Sequence, residues 1–353
     1  MRGMTGGRLP ARLGNLVPVA RGRAFLPILA AGVLVLVVPQ VWFADSEYTT
    51  SLAVQALAFA GYAVGFNLIF GTTNQLFLCV GALAGIGAYG TGILSNHASL
   101  PIWVGIVAGT IVAAAVGGLM SWVAVRRSLG VIFTGVLTLA FSFAFQDLLF
   151  GQQHLTGGST GQTLTAAAAS LADNQIGGYY LFGAVVIGFL IIFRLLQISH
   201  FGWAFRALRD DELAAELAGV NVARYRICAA VIGSAMIGLT GGLYAYSEGF
   251  ISPPTFAFDQ VDVTVLVLVA FGGLGTLLGP LIAAVVFAFV DNALVNSGQL
   301  RELIYGAIIV VIFLGFRRGV PQTLGAIVRR FIPHDKVGTR WRLPLSVRQR
   351  ERS

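Results

Sequence analysis

Charge is scarce in this chain. Only 11% of its 353 residues are Asp, Glu, Lys or Arg, where a soluble domain carries about 25%. Too few charges remain to cover a water-facing surface, so a soluble globular protein is excluded. Lysine is scarcer still. Lys336 stands alone and no Gly-Lys pair exists, which removes the P-loop that binds ATP phosphates. The four histidines, His97, His154, His200 and His334, are scattered without metal-ligand spacing. The two cysteines, Cys79 and Cys228, fall in apolar stretches and read as neither a disulfide nor a metal site. No nucleophile elbow and no intramembrane His or carboxylate pair is found, so a membrane-bound enzyme is disfavoured.

Apolar residues fill the space that charge vacates, at 56% of the chain. The runs are long enough to span a bilayer and are apolar all round. A transmembrane β-barrel would instead alternate polar and apolar residues in pieces of about 10. The expected fold is an all-α polytopic bundle of about ten membrane segments. Their ranges are 24–43, 51–70, 76–95, 101–125, 131–150, 179–198, 224–246, 262–278, 280–297 and 302–316. The run 24–43 is longer than the roughly 7–15 residues of a signal-peptide core and reads as an uncleaved first span. The pair flanking Phe271–Pro280 is expected to be short, tilted or broken by glycine.

Arginine fixes the orientation. With ten segments and a cytoplasmic N-terminus, every Arg and Lys except Arg301 falls on the inner side, as the positive-inside rule asks. Merging the last ambiguous pair would place the Arg-rich tail outside. Both termini are therefore expected to be cytoplasmic: a basic N-terminus 1–23, a transmembrane domain 24–316 and a basic tail 317–353 able to touch anionic lipid heads. The net charge of +8 reflects this topology and not nucleic-acid binding.

One polar island interrupts the membrane part, in the inner loop 199–223. Asp210, Asp211 and Glu212 cluster where a helix dipole favours acids. Leu213, Leu217 and Val220 follow at i, i+4, i+7, and Gly219 sits where a C-cap glycine belongs. A helix over 210–218 would be about 14 Å long. It is too short to be stable alone, so it must pack on the bilayer or on a partner.

Within the spans, Gly81 and Gly85 form a G-x-x-x-G pair suited to tight helix packing. Asn67, Asn74 and Gln75 lie where amides need partners or water, which suggests a polar pathway or a broken helix. Asp291 is a carboxylate inside an apolar run, where burial costs about 2.5–3.5 kcal/mol on insertion scales. Asp147 and Asp262 lie closer to the outer surface. In the outer segment Tyr246–Gln260, Pro253-Pro254 stiffens the chain and suits a docked protein or an ordinary re-entry turn.

The order and spacing of several motifs carry a resemblance. They read NLIFGTTNQLFLCVGALAGIGAYG, GVIFTGVLTLAF, LTGGSTG, RALRDDELAAELAGVNVARYR, GLTGGLYAY, ISPPTFAF, FGGLGTLLGP and LRELIYGAIIVVIFLGFRRG. Over roughly 52–319 the chain resembles the permease subunits of ABC importers for branched-chain amino acids, the M-type subunit in particular. The resemblance implies a loop helix that docks in a separate ATPase subunit. Arg206, Arg209, Asp210, Asp211, Glu212, Ala214, Ala215 and Gly219 would form that contact. It also implies an extracytoplasmic binding protein on the outer loops, a second and different permease, and two ATPase subunits. ATP and Mg would sit on the ATPase, with no cofactor in this chain and the whole in a bacterial plasma membrane.

Two departures bear on substrate. After Gln75 the family commonly shows Ser, Gly, then His or Gln, whereas this run is Leu76, Phe77, Leu78, Cys79, Val80. Before FGGLG the family often carries Glu; Thr264 is nearest here, with Asp262 two residues earlier. The expected path residues are Asn67, Asn74, Gln75, Thr264 and Asp291. Branched-chain amino acids are the expected substrate, with urea or short amides open. The reading from another class is a secondary transporter acting alone, which would need neither ATPase nor binding protein.

Overall fold

The computed structural model describes residues 28, 29, 32, 35, 47–97, 100–164 and 175–294, with the side chains of 47–49, 175 and 291–294 left out. The expected segments at 24–43 and 302–316, both termini and the basic tail lie outside the described residues or nearly so. The rest is mostly helical. In order the helices are α1 (Glu47–Thr73), α2 (Val80–His97), α3 (Ile102–Arg126), α4 (Val131–Gly151), the short α5 (Gln153–Thr156) and α6 (Gln175–Ile198). They continue with α7 (His200–Asp210), α8 (Glu212–Leu217), α9 (Val222–Glu248), α10 (Val263–Gly272) and α11 (Gly279–Leu294). Five of them, α1, α3, α4, α6 and α9, are long and apolar enough to cross a membrane. This is an all-α membrane protein.

At the centre α9 packs against α1, α2 and α3, while α6 and α11 lie against the other side of α1. Small residues let the central helices close up. A Cβ on Gly87 of α2 would run into the backbone of Gly238 on α9, and one on Gly109 of α3 would meet the Gly87 carbonyl oxygen at 2.7 Å. Three backbones meet there because none of the three residues has a side chain. In lipid, where burying apolar area between helices gains little, such contact is the main source of helix association. The G-x-x-x-G pair sits elsewhere. Gly85 faces the ring of Phe145 on α4, and Gly81 faces the backbone at Phe256. By contrast α4 exposes Ile132, Phe133 and Val136, the surface expected of a helix that meets lipid or another membrane chain.

The two ends of the bundle differ. Arg126, Arg127, Arg206, Arg209, Arg224 and Arg226 gather at or beyond the helix ends on one side, the basic end. The opposite end is closed by two antiparallel strands, β1 (Gln162–Thr163) and β2 (Phe250–Ile251). They pair Gln162 with Ile251 and Thr163 with Phe250. Asn96 donates from Nδ2 to the carbonyl of Thr163 at 2.7 Å, tying the end of α2 to that strand.

Two expected spans are broken. The run expected at 76–95 becomes helical only at Val80, and residues 74–79 are irregular. The run expected at 262–278 is helical for only the 10 residues of α10, after a π-helical turn at Phe258–Asp262. Irregular backbone is tolerated at membrane depth only when its polar groups are satisfied, and several of them find partners here. Asp262, 2% exposed, accepts from the backbone N–H of Val80 at 2.5 Å and of Gly81 at 3.1 Å. Its carboxylate thus fills the cap at the positive end of the α2 dipole. The N–H of Leu78 donates to Oγ1 of Thr138 at 2.8 Å. Each break therefore supplies the partner of the other: the π-turn before α10 caps the unwound start of α2.

Candidate functional site

Two regions are built for contact, one at each end of the bundle. At the basic end, α7 leaves α6 through Ser199, whose hydroxyl accepts from Phe201 N at 3.2 Å. The expected loop there is an amphipathic helix. Phe205 and Leu208 are buried while Trp203 is 70% exposed, with the Arg206 guanidinium stacked over its ring at 4.5 Å. Phe201 and Phe205 pack edge-on against Tyr225 of α9, which fixes α7 against the bundle.

The next helix, α8, spans 212–217 and is shorter than the expected 210–218. Asp210 ends α7, and Asp211 is the cap between the two helices. Its Oδ1 accepts from Leu213 N at 2.9 Å and from Ala214 N at 3.1 Å. Gly219 has φ +86°, and nothing lies within 4 Å of where its Cβ would be. It is required by backbone conformation alone, as the sequence suggests. Glu212 and Arg226 form a two-pronged ion pair, with Nη2 to Oε2 at 2.9 Å. Arg226 also reaches the carbonyl of Thr73 at 3.5 Å, at the end of α1. Ala215 is the residue of α8 that is buried. The leucines that a lone helix would hide point away: Leu213 is 67% and Leu217 84% exposed.

Beneath α7 lies the turn 273–276 that joins α10 to α11. The Asn67 side chain grips it twice. Its Oδ1 accepts from Gly275 N and its Nδ2 donates to Thr276 O, each at 2.8 Å. Gly275 has φ +74°, and the Arg209 guanidinium lies where its Cβ would be. Gln197 of α6 adds a long bond to the Gly275 carbonyl at 3.5 Å. Three elements, α1, α6 and α7, thus converge on one glycine turn.

At the opposite end a cavity of about 590 Å³ opens between α1, α4, α9 and the segment 254–261. Phe59 and Tyr62 of α1, Tyr244 of α9 and Phe256 form its aromatic walls, and Gln55, Gln146 and Gln260 are its amides. Asp259 is the one charged residue among those described as lining it. Tyr62 is 3% exposed, and its hydroxyl has no hydrogen-bond partner among the described residues.

The sequence matches the family model described as "branched-chain amino acid transport system / permease component" over residues 48–313. The chain belongs to this permease family. It is similar to the high-affinity branched-chain amino acid transport system permease protein LivM of Salmonella typhimurium, at 27% identity, covering 82% of this chain and 74% of that one. The Escherichia coli LivM protein matches with the same identity and coverage. The probable LivH permease of Methanocaldococcus jannaschii is 25% identical over 71% of this chain and 83% of its own. No solved structure matches. The M-type resemblance read from the motifs is thus supported, and the permease is a transport component and not itself an enzyme.

Among the described residues, those expected to line the path sit in different surroundings. Asn67 is committed to the glycine turn. Gln75, buried, accepts from Ser121 Oγ at 3.0 Å and so anchors the irregular segment 74–79 to α3. Asn74 is exposed with φ +55°, as the residue at which α1 ends and the chain reverses. Thr264 lies half-buried on α10. Asp291 lies on α11, its side chain outside the described set. Sequence reading passed over Gln55, Tyr62, Gln146 and Tyr244, each a single polar group in an apolar run. A signal was present for two of them: Gln55, Phe59 and Tyr62 recur at i, i+4, i+7 on α1, a stripe that polar ends make unusual in a span.

Proposed function

We propose that this chain is the M-type permease subunit of an ABC importer that moves branched-chain or closely related amino acids across a bacterial plasma membrane. In this reading the basic end is cytoplasmic and ten segments cross or enter the membrane with both termini inside. The complex holds a second, homologous permease, two ATPase subunits that bind ATP and Mg, and an extracytoplasmic binding protein.

The observation that carries the reading is the pair α7–α8. The exposed residues Trp203, Leu213 and Leu217 project from short helices that are locked to the bundle by Tyr225, Arg226 and the 275 turn. Exposed apolar groups on a rigid knob suit a protein groove better than water. Arg206, Asp210, Asp211, Ala214 and Gly219 lie on or beside that surface and would meet the ATPase. Arg209, Glu212 and Ala215 would act from behind it, linking it to the 275 turn, to α1 and α9, and to the bundle. A push on α8 then reaches α10 and α11 through Arg209, and α1 and α9 through Arg226. The substrate path would run past the broken helices marked by Asn67, Asn74, Gln75 and Thr264, with Asp291 on α11.

The test is co-purification and transport with the partner subunits. Leu217→Asp should abolish ATPase association while the permease still inserts in the membrane. Gly219→Val, which forces a β-branched residue to φ +86°, should weaken it as well. Retained association in both would refute the coupling assignment. Transport by the purified chain alone in lipid would favour a stand-alone secondary transporter instead.

A further inference from the structure

We infer that the groove between the basic ends of α3 and α9 binds the headgroup of an anionic phospholipid, with Arg126 and Arg224 holding its phosphate. The inference needs only that these two helices span the bilayer, so it stands apart from the importer reading above.

The groove follows from how the two helices meet. About two turns from the end of α3, Gly118 brings them together: a Cβ there would meet Cγ2 of Val231 at 2.7 Å. From there to the basic end neither helix has a glycine, and side chains hold the backbones apart. Trp122 and Arg126 of α3 line the space opposite Arg224, Ile227 and Cys228 of α9, with Asn221 at the end. The groove holds about 510 Å³, within the roughly 300–1,000 Å³ typical of small-molecule sites.

Its charge is positive and uncompensated. No Asp or Glu is among the residues described as lining it. Among the described residues Glu212 pairs with Arg226, and neither Arg126 nor Arg224 has a carboxylate partner. Arg127 adds a third positive charge at the C-cap of α3. An anion is drawn to such a groove, and two guanidinium forks match the oxygens of a phosphodiester. Asn221 Oδ1 accepts from Arg224 N at 3.0 Å, which fixes the backbone that carries one of the forks.

Position selects a lipid over a soluble anion. Both α3 and α9 are long and apolar enough to cross a membrane, and the groove lies where α3 ends and α9 begins. It therefore sits at headgroup depth. Trp122 is exposed, and the Arg126 guanidinium lies 5.1 Å from its ring centroid. Tryptophan at this level is the anchor expected of a membrane–water interface. Ile111 and Leu119 are exposed as well, and their spacing puts them on the same face of α3 as Trp122 and Arg126. That stripe offers acyl chains an apolar track that ends at the charged groove. A soluble phosphate would use the arginines and leave the stripe bare. Basic pockets between membrane helices on the cytoplasmic side suit anionic headgroups for these reasons.

The experiment places the full-length permease, alone and in its assembled complex, in phosphatidylcholine vesicles with a rising fraction of brominated phosphatidylglycerol. Tryptophan fluorescence is the readout, because bromine quenches on contact. The part of the quenching that Trp122→Phe removes should saturate at a low phosphatidylglycerol fraction. Brominated phosphatidylcholine should quench only in proportion to its abundance. Arg224→Gln should raise the half-saturating fraction about fivefold, and the double variant with Arg126→Gln about thirtyfold, from the usual worth of one basic residue at an anionic surface. Both shifts should shrink in high salt. Because Arg126→Gln also removes the stacking on Trp122, Arg224→Gln carries the test by itself. An unchanged midpoint in Arg224→Gln overturns the assignment, and so does equal quenching by the two brominated lipids. Displacement of the lipid by millimolar glycerol phosphate would make the groove a site for a soluble anion. Quenching in the lone permease that disappears in the complex would make it a protein contact. Either result also overturns the lipid assignment.

Discussion

Replacing Asn67 tests whether the glycine turn between α10 and α11 is held by hydrogen bonds or by volume. The amide makes two bonds of 2.8 Å to backbone groups of Gly275 and Thr276 and is 1% exposed. Asn67→Leu removes both and leaves a buried N–H and a buried C=O without partners. On soluble-protein figures each orphan costs about 1–3 kcal/mol, which would sum to about 2–6. Within a membrane, double-mutant cycles average about 0.6 kcal/mol per interhelical bond with a maximum near 1.7, because the unfolded state in lipid also finds partners. The membrane values apply here, so the expected loss is about 1–3 kcal/mol. The assay is unfolding of the purified permease in mixed micelles. Asn67→Asp decides the mechanism. It has the same shape, but both carboxylate oxygens accept, so one bond survives and the other oxygen faces the Thr276 carbonyl. If hydrogen bonds hold the turn, Asp should be destabilising as well. Asn67→Asp with wild-type stability would refute the hydrogen-bond account and leave side-chain volume as the cause. Because Arg209 rests on the same turn, both variants should also weaken the response of transport to ATP.

Further outcomes follow from the packing. Gly87→Ala pushes a methyl into the backbone of Gly238 and should cost about 1–3 kcal/mol by overpacking; Gly130→Ala, where nothing lies within 4 Å, should be tolerated, and thermal inactivation in detergent compares them. The Glu212–Arg226 pair has side chains 48% and 13% exposed. Solvent screening at the Glu212 end limits its coupling to about 1 kcal/mol or less, measurable by a double-mutant cycle that shrinks in high salt.

Sequence alone carried the class of this protein. Low charge and long apolar runs set an all-α membrane chain, because hydrocarbon tolerates little else. The positions of α1, α3, α4, α6 and α9 were legible to within a few residues for the same reason. Gly219 and an acidic helix start at 210–212 were legible too, since helix ends are local chemistry, although the cap proved to be Asp211. The motifs from Asn67 to the Arg-rich end carried the family.

The tertiary structure decided what depends on residues far apart in the chain. Asp262 lies some 180 positions from the N–H groups it caps, so hydropathy read two continuous spans where the fold has two mutually completed breaks. Asn67 reads from sequence as a lone amide in a span that needs a partner, and that partner, at 275–276, is invisible to any local window. Leu213 and Leu217 read as a stripe that must pack on the bilayer or on a partner, and only the fold, through Arg226 and the buried Ala215, shows that they face outward. The cavity lined by Phe59 and Tyr62 is assembled from four separated segments. Each contributes one or two polar groups that look incidental until α1, α4, α9 and the turn at 254–261 are brought together.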